Sequence, residues 1–467
     1  MVFESDYWFA TFLFKRGIGL VYLIAFAVAL RQFRPLIGEN GITPFTEFVE
    51  KVDFRKSPSI FHYLKTDRAM RSACWIGILL SLSALTGFLD LFGTAVSMLG
   101  WLAMWILYLS IVNVGQVWWG YGWESKLLEA GILAVFLGGF GVSSSLIMIL
   151  LIRWMLFRVM FGAGLIKIRG DSCWRKLNCL NFHYETQPMP NPLSWFLHKM
   201  PESWHKMETL ITHFTQLIIP LLYFAPQPVA AIAGVITIFF HLALMAGGNY
   251  SWLNLISIVL AFSLFPDTIL STIIPLAKPA LSPIKLPHQL MIYSYAVLVT
   301  GLSYYPVRNM LSSKQVMNTS FDPLHLVNTY GAFGSITKER YEVVIEGRNQ
   351  GGEWKEYEFP GKPTDTRKMP PQVAPYHMRL DWQLWFAAMT PRPRRRWFQG
   401  FIHKLLKGDE DIDRLLEKNP FPEGPDMIRA KRYRYEFSSW QELRQEGKWW
   451  RREEVGTFFP KVRKSLE

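Results

Sequence analysis

Long uninterrupted apolar runs dominate the chain from residue 12 to residue 305, with polar stretches between them. They cover approximately residues 12–30, 73–92, 96–114, 127–140, 146–166, 209–224, 229–245, 252–265 and 290–302. None shows the period-2 alternation of a barrel strand. In a bilayer, where the backbone must satisfy itself, such runs predict helices. The count is about nine. Several fall short of the ~20 residues that a straight span needs, and 127–140 reads either as a span extended by its preceding turn or as a re-entrant segment. No small-residue cleavage site follows the first run, which reads as a signal anchor. Polar loops at 31–71 and 167–206 interrupt the series, and the proline-rich stretch 266–288 is unsuited to a regular span. The pattern predicts a polytopic α-helical membrane bundle over residues 1–310.

After Met310 the pattern changes. YEVVIEG (341–347) and EWKEYEF (353–359) flank Asn349-Gln350-Gly351-Gly352, which predicts a β-hairpin with a glycine turn. Residues 380–389 and 401–416 carry helical spacing, and AKRYRYEFS (430–438) alternates like a strand. Residues 321–467 therefore predict a soluble α+β domain with mostly antiparallel pairing.

Composition sharpens this division. Half of the 467 residues are hydrophobic and 19% are charged, and the charges gather in the two loops and the tail. The formal net charge is +13. In a soluble protein that excess points first to nucleic acid. Here it is spread over loops and tail without a recognition motif, so anionic headgroups and helix orientation account for it, and no nucleic-acid partner is expected. Aromatic residues at the ends of apolar runs, such as Trp118-Trp119 and Tyr304-Tyr305, suit the membrane–water interface.

No phosphate-binding glycine loop, nucleophile elbow or HExxH motif is present. No catalytic residue, cofactor or metal site is predicted. The chemistry-bearing candidates are polar residues in or beside apolar runs: Glu124, Glu129, Arg153, Arg158, Lys167, Arg169 and Asp171. Ionisable groups at membrane depth face a polar cavity or a partner. Two readings stand: one intramembrane polar site, or ion pairs that fix the bundle, with Glu129–Arg158 as one such pair. The loop GDSCWRKLNCLNFHYETQPMPNP (170–192) packs Trp174, His183, Tyr184, Glu185 and Gln187 among cysteines and prolines. It reads as a rigid cap or as a recognition surface. Cys173 and Cys179 lie six apart, and spacing alone leaves a disulfide and two free thiols equally open.

This loop resembles the signature loop of the lipase maturation factor family. FKRGIGLVYLIAFAVALRQFRPLIGENGITP (14–44), WGYGWESKLLEAG (119–131) and GGNYSWLN (247–254) are similar to further motifs of that family, and so are VNTYGAFGSITKERYEVVIEG, APYHMRLDWQLWFAAM, NPF and KWWRREEVGTFFP in the tail. The resemblance covers nearly the whole chain in order. It implies a membrane protein, of the endoplasmic reticulum in eukaryotes or the plasma membrane in bacteria, that helps secreted lipases fold and assemble. It places the loops and the C-terminal domain on the lumenal side, although the Lys- and Arg-rich loop 31–71 taken alone suggests the cytoplasm. It favours the Cys173–Cys179 disulfide. The membrane part is also distantly similar in architecture to vitamin K-dependent carboxylases, which frames the alternative of a membrane enzyme with a cavity lined by Arg153, Arg158, Lys167, Glu124, Glu129 and His183.

Three expectations follow for the tail and the loop. Residues 183–188 form a docking edge between bundle and C-terminal domain. Client-binding candidates are Tyr330, Phe333, Trp449 and Trp450, with Trp382 and Trp385 assigned mainly to the core. Truncation near Met310 is expected to leave the bundle inserted and to remove client recognition.

Overall fold

Backbone groups without water partners drive the apolar runs into helices, and a computed structural model, describing residues 6–391 and 396–464, shows how they assemble. Six helices are long and apolar enough to cross a membrane: α1 (Trp8–Ile37), α2 (Asp67–Thr86), α3 (Thr94–Val114), α5 (Leu146–Arg169), α7 (Val229–Gly247), and α9 (Leu286–Leu302) with its continuation to Leu311. Three further apolar segments are shorter or broken. These are α4 (Gly122–Val135), α6 (Glu202–His213) with the irregular turns that extend it to Phe224, and α8 (Leu253–Ala261). Together, nine helical segments among the described residues cover the nine apolar runs.

Contacts between helix ends fix the direction of travel. At one end of the bundle the Trp8 indole donates to Phe140 O at 2.8 Å, Arg153 donates to Tyr223 O at 3.2 Å, and Asp267 N donates to Asp6 O at 2.7 Å. At the other end lie the loop after α1, the loop after α5, and the start of the tail. There the Trp118 indole donates to Thr43 at 2.9 Å and Arg169 donates to Met310 O at 2.7 Å. The two large loops and the C-terminal domain therefore share one end of the molecule.

The passes differ in what surrounds them. Every residue of α4 is buried, which explains how a 14-residue helix with two glutamates and a lysine stays inside the bundle. By contrast α2 turns Leu79 and Leu82 outward and α7 turns Ile232 and Phe239 outward. Such apolar faces belong against lipid chains.

Antiparallel pairing dominates the C-terminal domain, as its alternation predicts. Four strands, β1 (Arg340–Arg348), β2 (Lys355–Glu356), β3 (Met427–Phe437) and β4 (Trp450–Arg463), form a sheet in the order β2-β1-β3-β4. The predicted hairpin is present. Gly351 takes a φ of 75° in its turn, and pairing continues past β2 through Tyr357 N to Ile345 O at 3.0 Å. The predicted helix at 380–389 is α10 (Arg379–Ala388). The helix expected at 401–416 instead begins earlier, as α11 (Arg396–Lys407), and stops at Gly408, whose φ of 69° ends it. On β4 the free edge carries Arg451, Arg452, Glu453 and Glu454, charges that discourage edge-to-edge association.

Candidate functional site at the seam between bundle and sheet

Prolines in 186–192 leave backbone carbonyls without strand or helix partners, and the C-terminal domain supplies donors for them. The β1 residue Arg340, fully buried, donates to Glu185 O at 2.9 Å, to Gln187 O and to Pro188 O, and pairs with Glu342 at 2.5 Å. Lys362 closes the group, 3.2 Å from the other oxygen of Glu342. The Glu185 carboxylate accepts from Phe437 N at 2.7 Å and lies 3.6 Å from His198. Burial pushes Glu185 above the ordinary carboxylate range, while the Phe437 N–H opposes the rise. Gln187 donates to Ser194 at 2.8 Å and to Gly247 O at 2.9 Å, and accepts from Tyr250. His183 bonds Tyr250 at 2.9 Å, and its burial, aided by the charge of Lys167, lowers its pKa to about 3.

The first half of the loop is pinned as tightly. Cys173 and Cys179 are joined by a disulfide. Asp171 caps the helical turn Ser172–Arg175 through Cys173 N at 3.0 Å and pairs with Lys338 at 3.1 Å. Both contacts hold its carboxyl below the usual range. The Trp174 indole donates to Phe333 O at 2.8 Å, and Asp171 N donates to Gly334 O at 2.9 Å. A Cβ on Gly170 would collide with Gly334 O, so only glycine permits this approach.

The seven intramembrane candidates do not converge on one cavity. Glu124 pairs with Arg379 at 2.8 Å and accepts from Tyr108, and all three side chains are buried. Glu129 pairs with Arg158, as the sequence suggests, and accepts from Asn328 N at 3.0 Å and Tyr330 at 2.7 Å. Arg153 finds the carbonyls of Ser263 and Tyr223 and the Tyr7 hydroxyl at 3.0 Å. Arg169 and Asp171 lie at the loop end, with Gln315 and Lys338 as partners. Only Lys167 of the seven lines the large cavity, together with His183, Trp174, Tyr184, Tyr330 and Phe333. No group of three or more potential metal ligands exists among the described residues.

Two client-binding candidates are corrected by burial. Tyr330 is bonded to Glu129 inside the bundle, and Trp450 stacks on Phe437 at 4.2 Å within the sheet's core. Neither can grip a partner from the surface. Phe333 is half-buried against His183. Trp449, half-buried, packs on Trp195 and Phe196 of the loop. Trp382 is buried, whereas Trp385 is half-buried and donates to Thr186 O at 3.1 Å.

Sequence reasoning missed most of the tail's half of the seam. Arg340, Arg379 and His377 are buried, and so is Asn249, whose Oδ1 accepts from Val373 N and Ala374 N, each at 2.8 Å. The available signal was Arg379 beside an apolar helix start, a cation with no carboxylate at helical spacing on that face.

Models of two domains match this chain: the lipase maturation factor transmembrane domain over residues 9–272 and the lipase maturation factor C-terminal domain over residues 326–460. The chain belongs to the lipase maturation factor family. Lipase maturation factor 1 of Homo sapiens is 40% identical over 99% of this chain and 89% of its own length, and that of Mus musculus is 39% identical over 98% and 88%. Lipase maturation factor 2 of Xenopus tropicalis is 28% identical over 96% of this chain and 82% of its own length. No solved structure matches. The seam falls where the two lipase maturation factor domains meet, with the signature loop in the first and Arg340, Arg379 and Phe437 in the second.

Proposed function

We propose that this chain is a membrane-embedded maturation factor that assists the folding and assembly of secreted lipases. It acts from the lumenal side of the endoplasmic reticulum in a eukaryotic cell, or from the outer face of the plasma membrane in a bacterium. The observation that carries the reading is near full-length similarity to proteins named lipase maturation factor 1. The architecture is compatible with it. Both large loops and the sheet occupy one end of the molecule, and a disulfide lies in one of those loops, as an oxidising compartment permits.

The client-gripping surface in this reading is the aromatic cluster at the seam. Trp440 and Phe196 are exposed, Trp449 is half-buried, and Trp440 packs edge-on to Trp195 at 4.5 Å. Aromatic anchors of this kind dominate protein interfaces. The enzyme alternative loses the cluster that motivated it, because Glu124, Glu129, Arg153 and Arg158 are engaged elsewhere in the bundle.

The test is a cell line lacking the protein, complemented with wild type or with Trp440→Ala/Trp449→Ala. Wild type is expected to restore secreted lipase activity without changing lipase transcript, and the double variant to restore less. Lipase activity unaffected by loss of the protein would refute the reading.

A further inference from the structure

The bundle holds a cavity of about 450 Å³ between α5, α6, α7 and the signature loop. That volume lies within the roughly 300–1,000 Å³ typical of small-molecule sites. Its wall is largely apolar, with Met160 and Phe240 buried, and Trp204, Met207 and Ile211 of α6 toward the exposed side. Two cations interrupt this lining. Lys126 is fully buried and donates to Leu253 O at 2.9 Å and to Ser257, which leaves one ammonium N–H unassigned. Lys167 is 4% exposed and donates to Ala332 O at 2.9 Å, Gln216 Oε1 at 3.1 Å and Ala163 O at 3.3 Å.

Neither lysine has a carboxylate partner among the described residues, whereas Lys15 and Arg158 of the bundle each have one; Arg153 shares the lack but is held by two carbonyls and the Tyr7 hydroxyl outside the cavity. A buried ammonium held only by dipoles is costly. At membrane depth such a group marks a polar path or a ligand. The carboxylate that lines the cavity, Glu208, is already bonded to Tyr184 at 3.0 Å and to His205 at 3.3 Å. An apolar cavity lined by two lysine amines without carboxylate partners suits an amphipathic anion.

We propose that the cavity binds a single-chain amphipathic anion, its oxyanion head received by the remaining N–H of Lys126 and its hydrocarbon tail lying along the apolar wall toward α6. The head supplies the counter-charge that Lys126 lacks, and the tail meets a mostly apolar wall. A carboxylate and a phosphate monoester share this chemistry, and competition separates them. The proposal is independent of the client reading, because it concerns occupancy of the bundle and not lipase output.

The experiment is equilibrium binding of tritiated palmitate to the full chain in detergent or nanodiscs, with 1-hexadecanol, butyrate and lysophosphatidate as competitors. Saturable binding of one palmitate per chain is expected, with hexadecanol and butyrate competing at least about tenfold more weakly. Equal competition by lysophosphatidate supports an oxyanion site open to phosphate, and its failure to compete assigns the site to a carboxylate. Lys126→Met is expected to lose affinity at least about tenfold. Unchanged affinity in that variant, equal competition by hexadecanol, or no saturable binding would overturn the proposal. Should the variant not fold, a diazirine-bearing palmitate on wild type decides. Labels at Met160 or Phe240 support the site, and labels confined to outward residues such as Leu79 and Phe239 refute it.

Discussion

Arg379 of the C-terminal domain reaches Glu124 of the bundle at 2.8 Å, and neither side chain is exposed to solvent. The tail therefore supplies the counter-charge for a carboxylate buried in the fourth pass. Replacing Arg379 with Met leaves that carboxylate without its ion partner and should cost about 3–5 kcal/mol. Glu124→Gln/Arg379→Met should recover much of the loss. Thermal unfolding of the detergent-solubilised protein measures both, and a single variant as stable as wild type would refute the role of the pair.

The same relationship changes the outcome of truncation. A chain ending near Met310 lacks Arg379 and also the Asn328 and Tyr330 groups that bind Glu129. The sequence pattern suggests an independent bundle. The structure predicts instead that the truncated protein inserts and then unfolds or is degraded faster than wild type. Pulse–chase turnover checks this.

Glu185→Ala removes the acceptor for Phe437 N and should destabilise the protein by about 1–2 kcal/mol. Expression and melting temperature are expected to fall before any effect on client output per folded molecule. A stable but inactive variant would mean that Glu185 contacts the client directly.

Removal of the disulfide by Cys173→Ser/Cys179→Ser opens a short loop and should cost about 2 kcal/mol. Alkylation with and without reductant, read by mass, should show both thiols protected in wild type. Two freely alkylated thiols in the native protein would contradict the bond.

His183 makes the seam acid-sensitive. Its folded pKa is depressed to about 3 from an ordinary 6.5, so the folded state favours the neutral ring. The stability this contributes is complete above pH 6.5 and is lost as pH falls toward 3. Between pH 7 and pH 5 the loss should be about 2 kcal/mol. His183→Asn should flatten that part of the stability–pH curve.

Much of the fold is legible in the chain because membrane helices and alternating strands are local patterns. All nine apolar runs become helical segments, six of them long enough to cross a membrane, and the Asn349–Gly352 turn and the strand at 430–438 fall where alternation puts them. The seam is not legible, because its chemistry is a matter of long-range pairing. Glu124 and Arg379 are 255 positions apart, and nothing in the local spacing of either names the other. Tyr330 and Trp450 read as exposed grips for the same reason. An aromatic residue beside glycines or charges suits a surface equally well, until a buried acceptor or a facing strand claims it.

Ordered synthesis gives the Arg379–Glu124 pair a temporal meaning. The fourth pass leaves the ribosome long before Arg379 exists, so during biogenesis Glu124 lacks an ion partner that is made some 250 residues later. Glu129 has no such delay, since Arg158 follows within the next pass. The bundle therefore passes through a stage in which one helix is not yet seated. A nascent chain stalled or cut short in this stage presents an unfinished membrane segment, the kind of defect that membrane quality control can detect and remove.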